Sequence, residues 1–462
     1  MIAQILLGIA SLFQQLPQQL TNSGLPLVCI ETVNGETPTC TDINHPVGAI
    51  GSSIINATKV PGRVVLIQNN DTLYDSGEYV EDKSGMVIQI RGNTSAHLQK
   101  RPYKLKLQKK ADMLRRGDKR FKDKTWLLLN FGTQLNTLIG LKVNELMGLQ
   151  WTPSFEFVNV ILNGDYQGVY TLCESVKRNQ DCRLDVSDSG YVFEFDPYWW
   201  KEDVYVASET DDNAKFTFKY PDAEELSDEQ MDYFRWLVAQ IDKSFASGTY
   251  SDWLDVESFA SWSLAHDILG SYDGHGSNLF LTKYDNTPGT KVMMANLWDF
   301  DVIMMTENDW ARNHYVFYFK PMLNSPCQDY LEAYVRKWDE VSPWITREIL
   351  NYLDEFSRSK LCKDLSEAIL MDDERWSSLY GKSESVEVQL ERAREWFTSR
   401  QLWLDEAISS ERRKLNTTVM PVIANTIPEI SDSACYDITG VRANNGNPMR
   451  LYIKGGRKYM AK

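Results

Sequence analysis

The sequence predicts an α+β protein with a β-rich first lobe, a mainly helical second lobe and a small β-type tail. Three features indicate this order. Short apolar runs bounded by Gly, Asn and Asp fill residues 25–185, as expected of strands. Apolar residues recur every three or four positions through much of residues 186–415, which is typical of amphipathic helices. Residues 426–462 return to short β-like runs among glycines and asparagines.

The first lobe contains a series of predicted strands and one predicted helix. The strand segments before the helix are LPLVCIETV, RVVLIQ, MVIQIRG, YKLKLQ and TWLLLNFG. The helix covers LNTLIGLKVNELMGL, where leucines between Leu135 and Leu146 recur near helical spacing. The segments FVNVILNG and GVYTLCE then predict a hairpin, because Asn163 and Gly164 tolerate the positive φ angles of a tight turn.

The second lobe begins with two more predicted strands, GYVFEFDPYWW and AKFTFKY. Three long helical segments follow, SDEQMDYFRWLVAQIDKSF, VESFASWSLAHDILG and VEVQLERAREWFTSRQLWLDEAI. The first of them starts after Ser227 with the pattern of a capping box, which marks the beginning of a helix. The segments that carry most of the chemistry lie between the second and third helices.

Charge and hydropathy limit the possible partners and locations. The chain has 462 residues and a net charge of −15, which argues against a nucleic-acid partner and against an anionic membrane surface. Residues 1–24 predict a signal peptide and linker, because the apolar run from Ile5 to Phe13 is too short to span a bilayer. The alternative is a buried N-terminal helix. No other stretch is long and apolar enough to predict an integral membrane span.

Seven cysteines are spaced without a CxxC pair, so the sequence does not support a zinc ribbon. Cys29 with Cys40, and Cys173 with Cys182, could close short loops as disulfides in an oxidising compartment. The alternative is that these thiols stay reduced.

The turn after the second long helix carries the first candidate catalytic residues. Asp273 and Asn278 are five positions apart, between Gly270 and a short apolar strand. A kinase catalytic loop uses the same separation, with the aspartate orienting a hydroxyl nucleophile and the asparagine holding a metal ion. Such a match alone usually marks only a turn, so its weight comes from the order of the elements around it.

Two further carboxylates end the predicted strand KVMMANLWDFD. Asp299 and Asp301 stand at positions i and i+2, which share one face of an extended segment, with Phe300 between them. Carboxylates on a fixed frame are ligands that Mg²⁺ prefers. We therefore expect Asn278, Asp299 and Asp301 to form a metal site; the alternative is a strand end with a capping aspartate.

The first lobe should supply cations for phosphate groups. Arg91, Lys104 and Lys106 are the candidates, and the alternative for the two lysines, which share one strand face, is a solvated surface. Glu145 in the predicted helix could pair with a lysine, as kinase helix glutamates do, or could lie on the surface. Glu174 ends the strand GVYTLCE and could contact the adenine or the ribose.

Several segments, taken in order, resemble the CotH family of atypical protein kinases. They are RGNTS with KRPYKLKL, TWLLLNFGTQLNTLIGLKVNELMG, FVNVILNGDYQGVYTLCESV, NLWDFDVIM and REWFTSRQLWLDEAI. The resemblance covers roughly residues 25–410, and the ordered set is far more specific than any single motif. It implies a two-lobed, protein-kinase-like fold that binds ATP with Mg²⁺ or Mn²⁺ and phosphorylates a protein acceptor.

The resemblance also implies roles for individual residues. Asp273 matches the loop aspartate, Asn278 the metal-side asparagine and Asp299 the magnesium aspartate. Asp301 is a neighbouring ligand or a support. Lys104 looks like the phosphate lysine, and the alternatives to it are two nearby lysines, Lys106 and Lys100.

The tail CYDITGVRANNGNPMRLYIKGGRKYMAK is similar to C-terminal sorting modules of exported Bacteroidota proteins, which implies a location in the periplasm or at the cell surface. Two other functions stay open. A kinase-like scaffold without catalysis could be a surface binding protein, since the chain lacks a kinase-type Gly-rich loop and a His-Arg-Asp triplet. A carbohydrate-active hydrolase could use Asp273 and Asp299 as its carboxylate pair, although the helical second lobe fits it poorly.

Overall fold

The computed structural model describes residues 24–43, 54–211, 214–274, 278–305, 307–418, 436–437, 451–454 and 457–460. The predictions for the signal peptide and for most of the tail therefore lie outside the described residues. The described part has a β-rich first half and a mainly helical second half, which confirms the predicted α+β class. The chain divides into two compact units, residues 1–406 and 407–462. None of the described helices is long and apolar enough to cross a membrane.

Ten strands build the β-rich half of the larger unit. They are β1 (Leu27–Thr32), β2 (Cys40–Ile43), β3 (Ile54–Ala57), β4 (Val60–Gln68), β5 (Asp71–Asp75), β6 (Met86–Ile90), β7 (Tyr103–Ala111), β8 (Asp123–Leu129), β9 (Phe155–Leu162) and β10 (Asp165–Glu174). Eight of them form one sheet in the order β1-β9-β10-β8-β7-β6-β4-β5, and β1 also pairs with β4. That additional pairing closes the sheet into a barrel, which the sequence analysis did not predict. Strands β2 and β3 form a separate two-stranded sheet.

A glycine permits the closure of the barrel. Gly62 of β4 lies opposite Thr32 of β1 and Met86 of β6. A Cβ atom at residue 62 would lie 2.4 Å from the carbonyl oxygen of Glu31, so a larger residue would push the strands apart. Aliphatic and aromatic side chains around Trp126 fill the interior of the barrel.

The side chains of β7 alternate between the two faces of the strand. Tyr103, Leu105 and Leu107 are buried in the barrel core. Lys104 is half-buried and Lys106 is exposed on the opposite face. The two lysines thus share one strand face, which confirms that part of the prediction.

A second sheet follows the barrel. Its strands are β11 (Tyr191–Phe195), β12 (Val206–Ala207), β13 (Lys215–Tyr220), β14 (Leu279–Lys283) and β15 (Val292–Met294), in the order β12-β13-β11-β14-β15. Buried side chains of β8 and β10 pack against β11, β14 and Trp298, so one core joins the barrel to the second sheet. The predicted strand before Asp299 ends early, at Met294, and the chain from Ala295 to Phe300 has no regular structure.

The described residues also contain eight α-helices and a small three-stranded sheet. The helices are α1 (Asn136–Leu146), α2 (Asp228–Ser247), α3 (Val256–Leu269), α4 (Phe319–Asn324), α5 (Asp329–Val341), α6 (Ile345–Ser357), α7 (Lys360–Tyr380) and α8 (Val386–Thr418). Ser227 and Gln230 form the predicted capping box of α2. Helix α3 is almost wholly buried and ends at Gly270, whose φ of 55° stops the helix. In the smaller unit, β16 (Tyr436–Asp437), β17 (Leu451–Lys454) and β18 (Arg457–Met460) form a three-stranded sheet.

Neither of the two disulfides considered from the sequence forms, because Cys29, Cys40, Cys173 and Cys182 are all free thiols. Cys29 is buried against side chains of β4 and β9, whereas Cys40 lies on the separate two-stranded sheet. Cys173 is buried in the core that joins the barrel to the second sheet. The thiol of Cys182 instead donates a hydrogen bond to the carbonyl oxygen of Arg120 at 3.2 Å.

A buried ion pair attaches α7 to the barrel. The Lys100 ammonium lies 2.5 Å from Asp372 Oδ1, and both side chains are almost fully buried. The same oxygen accepts a hydrogen bond of 2.7 Å from the backbone nitrogen of Val169. Asp372 therefore satisfies one charge and one backbone donor that would otherwise be buried alone.

We predict that Asp372→Ala lowers the free energy of unfolding by about 3 kcal/mol or more, because Lys100 and the Val169 amide lose their partner. The control Lys363→Ala removes an exposed ion pair with Glu367 on the same helix and should cost less than about 1 kcal/mol. Chemical denaturation measures both values. Equally small losses in the two variants would contradict the role given to the buried pair.

Candidate functional site

The loop after α3 lies beside the chain that bears the two carboxylates. We call residues 297–301 the acidic segment. The backbone nitrogen of Tyr272 donates a hydrogen bond of 3.0 Å to the carbonyl oxygen of Val302, directly after that segment. Asp273 follows Tyr272 in sequence, so the loop aspartate lies next to the acidic segment.

Asn278 and Asp299, which are 21 positions apart, meet in the structure. The Asn278 Nδ2 atom lies 3.5 Å from Asp299 Oδ2, so the two side chains are close enough to contact one ion. Both residues have positive φ angles, 67° and 64°, which are uncommon outside glycine. Strained backbone of this kind persists where surrounding contacts enforce it and is frequent at functional sites.

Asp299 and Asp301 line one cavity together with Arg91, and Phe300 is packed between them. Among the described groups, none donates a hydrogen bond to the buried Asp301 Oδ1. Asp299 is open to solvent, yet protein groups crowd around it. The loss of solvation caused by these protein groups raises the pKa of Asp299 to about 8. The negative charge of Asp301 contributes to the rise, and the positive charge of Arg91 opposes it. A cation would stabilise this pair of repelling carboxylates and its unsatisfied oxygen.

The donor set fits Mg²⁺ or Mn²⁺. Two carboxylates and the side-chain amide of Asn278 offer oxygen atoms, which hard cations prefer. Among the residues that the structure describes, nowhere do three or more His, Cys, Asp or Glu side chains come together in a way that could hold a metal ion. The remaining ligands would therefore be water or phosphate oxygens, as is usual for Mg²⁺ at phosphate-transfer sites.

One face of α1 holds the acidic segment in place. Asn136 Nδ2 donates a hydrogen bond of 3.3 Å to the last carbonyl oxygen of the segment, and Asn144 Oδ1 accepts one of 2.7 Å from its first backbone nitrogen. Between them, Gly140 leaves room for the ring of Phe300, which would lie 2.0 Å from a Cβ atom at residue 140. These three residues are four positions apart and share one helix face.

Arg91 brings positive charge from the barrel to the cavity of the carboxylates, and Lys104 lies close to Arg91. Burial lowers the pKa of Lys104, and neighbouring cations, first Lys106 and then Lys219 and Arg91, lower it further. Burial also lowers the pKa of Arg91, although the charge of Asp299 opposes that change. Arg91 therefore acts directly on Asp299, and Lys104 lies close enough to Arg91 to be affected by its charge. Lys106 lies further along β7 and is exposed.

Two residues of the site were not identified from the sequence. Glu194 of β11 and Lys219 of β13 form an ion pair of 2.8 Å. Glu194 also accepts a hydrogen bond from the backbone nitrogen of Asn278, so the second sheet is linked to the loop. The available signal was a charged residue inside an otherwise apolar strand, in VFEF and in KFTFKY.

Glu145 and Lys100 do not reach the carboxylate cavity. The exposed carboxylate of Glu145 lies 2.9 Å from Lys142 of the same helix, so it does not pair with a lysine of β7. Glu145 therefore lies on the surface, as the alternative prediction held, because the buried face of α1 is the one that carries Asn136 and Asn144. Lys100 is paired with Asp372. Of the lysines considered for contact with phosphate, Lys104 is the half-buried one that lies close to Arg91.

Glu174 is fully engaged with other protein groups. Its buried carboxylate lies 3.0 Å from Arg116 and 3.4 Å from Arg183, and it accepts a hydrogen bond of 2.9 Å from the backbone nitrogen of Ser154. The predicted contact of Glu174 with adenine or ribose is therefore not supported. Its position at the end of β10 is as expected, but the arginines were too distant in sequence to be foreseen.

A wider cleft of about 610 Å³ opens beside Asp301. Its walls include Phe131, Ile303, Trp376 and Tyr380. Because Asp301 lines both this cleft and the cavity that contains Asp299, a molecule bound in the cleft would reach the carboxylates.

A buried network fixes the end of α3, from which the loop starts. The Asp267 carboxylate accepts a hydrogen bond of 2.8 Å from the Tyr334 hydroxyl and lies 2.6 Å from His314 Nε2. Arg400 donates a hydrogen bond of 2.6 Å to the Asp267 carbonyl oxygen. The loop that carries Asp273 therefore starts from a rigid support.

Comparisons with known proteins add the following findings. Residues 88–404 match the family model described as CotH kinase protein. No curated protein matches the sequence. Among solved structures, the crystal structure of a Helicobacter pylori proinflammatory kinase, CtkA, is similar over 59% of this chain and 91% of that chain, with 12% sequence identity and a TM-score of 0.25.

We predict that Gly140→Ala weakens Mg²⁺-dependent binding of ATP by about tenfold or more, because the new methyl group displaces Phe300 and with it the carboxylates. Helix propensity alone would favour alanine by about 1 kcal/mol. The control Glu145→Ala lies on the exposed face of the same helix and should bind normally. Calorimetric titration measures both, and unchanged binding in the Gly140 variant would contradict the positioning role of α1.

Proposed function

Because this chain belongs to the CotH kinase protein family, we propose that it transfers the γ-phosphate of ATP to a hydroxyl group of a protein acceptor in a metal-dependent reaction. The observation that carries this proposal is the Asp299 and Asp301 pair, with its unsatisfied buried oxygen, beside Asn278. Arg91 adds positive charge beside the pair, and Lys104 lies close to Arg91. Phosphoryl transfer depends on positioning and charge neutralisation, which such a group of side chains supplies.

In this proposal the barrel and the helical half act as the two lobes of a kinase-like fold, with the nucleotide between them. Asp299, Asp301 and Asn278 would hold Mg²⁺ or Mn²⁺, and the ion when bound would offset negative charge on the phosphate oxygens. Arg91 and Lys104 neutralise the remaining phosphate charge from the barrel side. The Glu194–Lys219 ion pair keeps the Asn278 backbone in position from the second sheet.

The acceptor approaches from the other side of the acidic segment. Asp273 orients the acceptor hydroxyl and accepts its proton while the hydroxyl oxygen bonds to the γ-phosphorus. The bond between that phosphorus and the bridging oxygen breaks, and ADP leaves with the electron pair. The wide cleft that ends at Asp301 is large enough to admit an extended acceptor segment with an apolar side chain.

The location of the protein in the periplasm or at the cell surface stays a prediction from the sequence of residues 1–24 and the tail. Antibody labelling of intact and lysed cells tests it, because an exported protein at the surface is labelled before lysis. Labelling only in the cytoplasmic fraction would contradict export.

We predict that Asp299→Asn and Asp301→Asn each weaken metal-dependent binding of ATP by more than about 100-fold, because each removes a charged oxygen ligand. The thermal shift produced by ATP with Mg²⁺ should disappear in both variants. The control Glu224→Gln neutralises an exposed carboxylate on another turn and should keep the full shift. A normal shift in both aspartate variants would exclude the assigned metal site.

We predict that Asp273→Asn leaves ATP binding intact but slows phosphate transfer by about 10²–10⁴-fold, the usual contribution of a general base. Transfer of radiolabelled phosphate to a generic protein acceptor measures the rate, and calorimetry measures ATP binding. If the unaltered protein binds ATP but transfers no phosphate to any acceptor, the non-catalytic alternative is the correct one.

We predict that Lys104→Met raises the KM for ATP by about tenfold or more, because Lys104 lies close to Arg91, whose charge acts on Asp299. The matched variant Lys106→Met removes the same charge from the next outward position of β7, which is exposed, and should change KM less than about threefold. Steady-state kinetics compares the two. Equal effects would show that general electrostatics, and not a local contact, is responsible.

A further inference from the structure

A second cleft, of about 390 Å³, lies at the far end of β7 and β8. Six basic side chains line it, Lys110, Lys119, Arg120, Lys122, Lys177 and Arg178. Only two acidic side chains, Asp123 and Asp181, line the same cleft. This excess of positive charge stands out on a chain whose net charge is −15.

Three of these cations have no ion-pair partner among the described residues. Lys110, Lys119 and Lys122 are exposed, and no carboxylate of the described part lies within ion-pair distance of them. By contrast, Lys177 lies 2.8 Å from Asp123. Like charges that are crowded without partners weaken a fold slightly, so this group of lysines is not explained by stability.

The two arginines are already engaged. Arg120 lies 3.3 Å from Asp118, and Arg178 lies 2.6 Å from Asp188 and stacks over Tyr220. A free arginine binds phosphate through the two parallel hydrogen bonds of its planar fork, whereas lysine binds as a point charge. The free charges here are instead single lysine ammonium groups, which suit carboxylates spaced along an extended chain.

The free lysines come from different parts of the chain. Lys110 lies near the end of β7, and Lys119 and Lys122 lie in and after the short turn Lys119–Phe121. Loop residues after β10 also line the cleft. A ligand that contacts all of them must span the cleft, which an extended peptide does and a single small anion does not.

The cleft lies on the same strand as the phosphate lysine but at its other end. Lys104 pairs with Leu127 of β8, whereas Ala111 pairs with Asp123. Lys104 and Lys110 are six positions apart along β7, which corresponds to about 20 Å at 3.3 Å per residue. An acceptor bound at the basic cleft would therefore be held on the nucleotide-binding lobe without blocking the transfer site.

We propose that this basic cleft docks an acidic segment of the protein acceptor. The inference rests on the proposed kinase function for the identity of the acceptor, but the binding itself needs neither ATP nor metal. The interaction is electrostatic, so it weakens as the salt concentration rises.

The test uses the full chain and two labelled peptides of equal length, one of glutamate and one of glutamine. Fluorescence anisotropy should show binding of the glutamate peptide only. The variant Lys110→Glu/Lys119→Glu/Lys122→Glu should bind it about tenfold more weakly or worse. The control Lys83→Glu/Lys243→Glu/Lys320→Glu makes the same charge change at exposed lysines elsewhere and should bind normally.

Equal binding by the two triple variants would overturn the proposal, as would equal affinity for glutamate and glutamine peptides. Displacement of the peptide by inorganic tripolyphosphate at far lower concentration than by glutamate would also overturn it, because the cleft would then prefer a compact anion. The thermal shift with ATP and Mg²⁺ should persist in the variant Lys110→Glu/Lys119→Glu/Lys122→Glu. Failure of the unaltered protein to bind the glutamate peptide, with this shift intact, refutes docking alone, whereas a missing shift in the unaltered protein refutes the kinase function.

Discussion

One face of helix α1 and the acidic segment packed on it form the contact on which the site depends. Asn136 and Asn144 bond the two ends of the segment, and Gly140 accommodates the ring of Phe300. With the backbone held at both ends, the side chains on either side of Phe300 project into one cavity. The fold therefore keeps the carboxylates of Asp299 and Asp301 close together despite their repulsion, which a bound cation would relieve.

The rest of the larger unit converges on this arrangement. The core that joins the barrel to the second sheet includes Trp298, so the residue before the first carboxylate is anchored by both sheets. The barrel carries Arg91 and Lys104, and the second sheet carries the ion pair that bonds the backbone of Asn278. The buried Asp267 network fixes the loop from the helical side. The site is thus supported from the barrel, the second sheet and the helical half, and such support is what preorganised electrostatic catalysis requires.

The sequence predicted the parts of this structure that depend on local pattern. The alternation of Lys104 and Lys106 follows from the two-residue period of a strand, and the start of α2 follows from its capping residues. Closure of the barrel depends on pairing between β1 and β4, which no local pattern reveals. Glu145 was misplaced for a related reason, because tertiary packing decides which face of a helix is buried. The spacing of Asn136, Gly140 and Asn144 is visible in the sequence, but its meaning depends on the segment that packs against it.

We expect Asp299, Asp301 and Asn278 to bind a divalent cation together with the phosphates of ATP. The most direct measurement is a crystal structure with Mn²⁺ and a non-hydrolysable ATP analogue, in which anomalous scattering locates the ion. The account predicts an ion about 2.0–2.6 Å from Asp301 Oδ1 and from an oxygen of Asp299, bridged to phosphate oxygens. An ion bound by other residues, with Asp301 Oδ1 still lacking a partner, would contradict it.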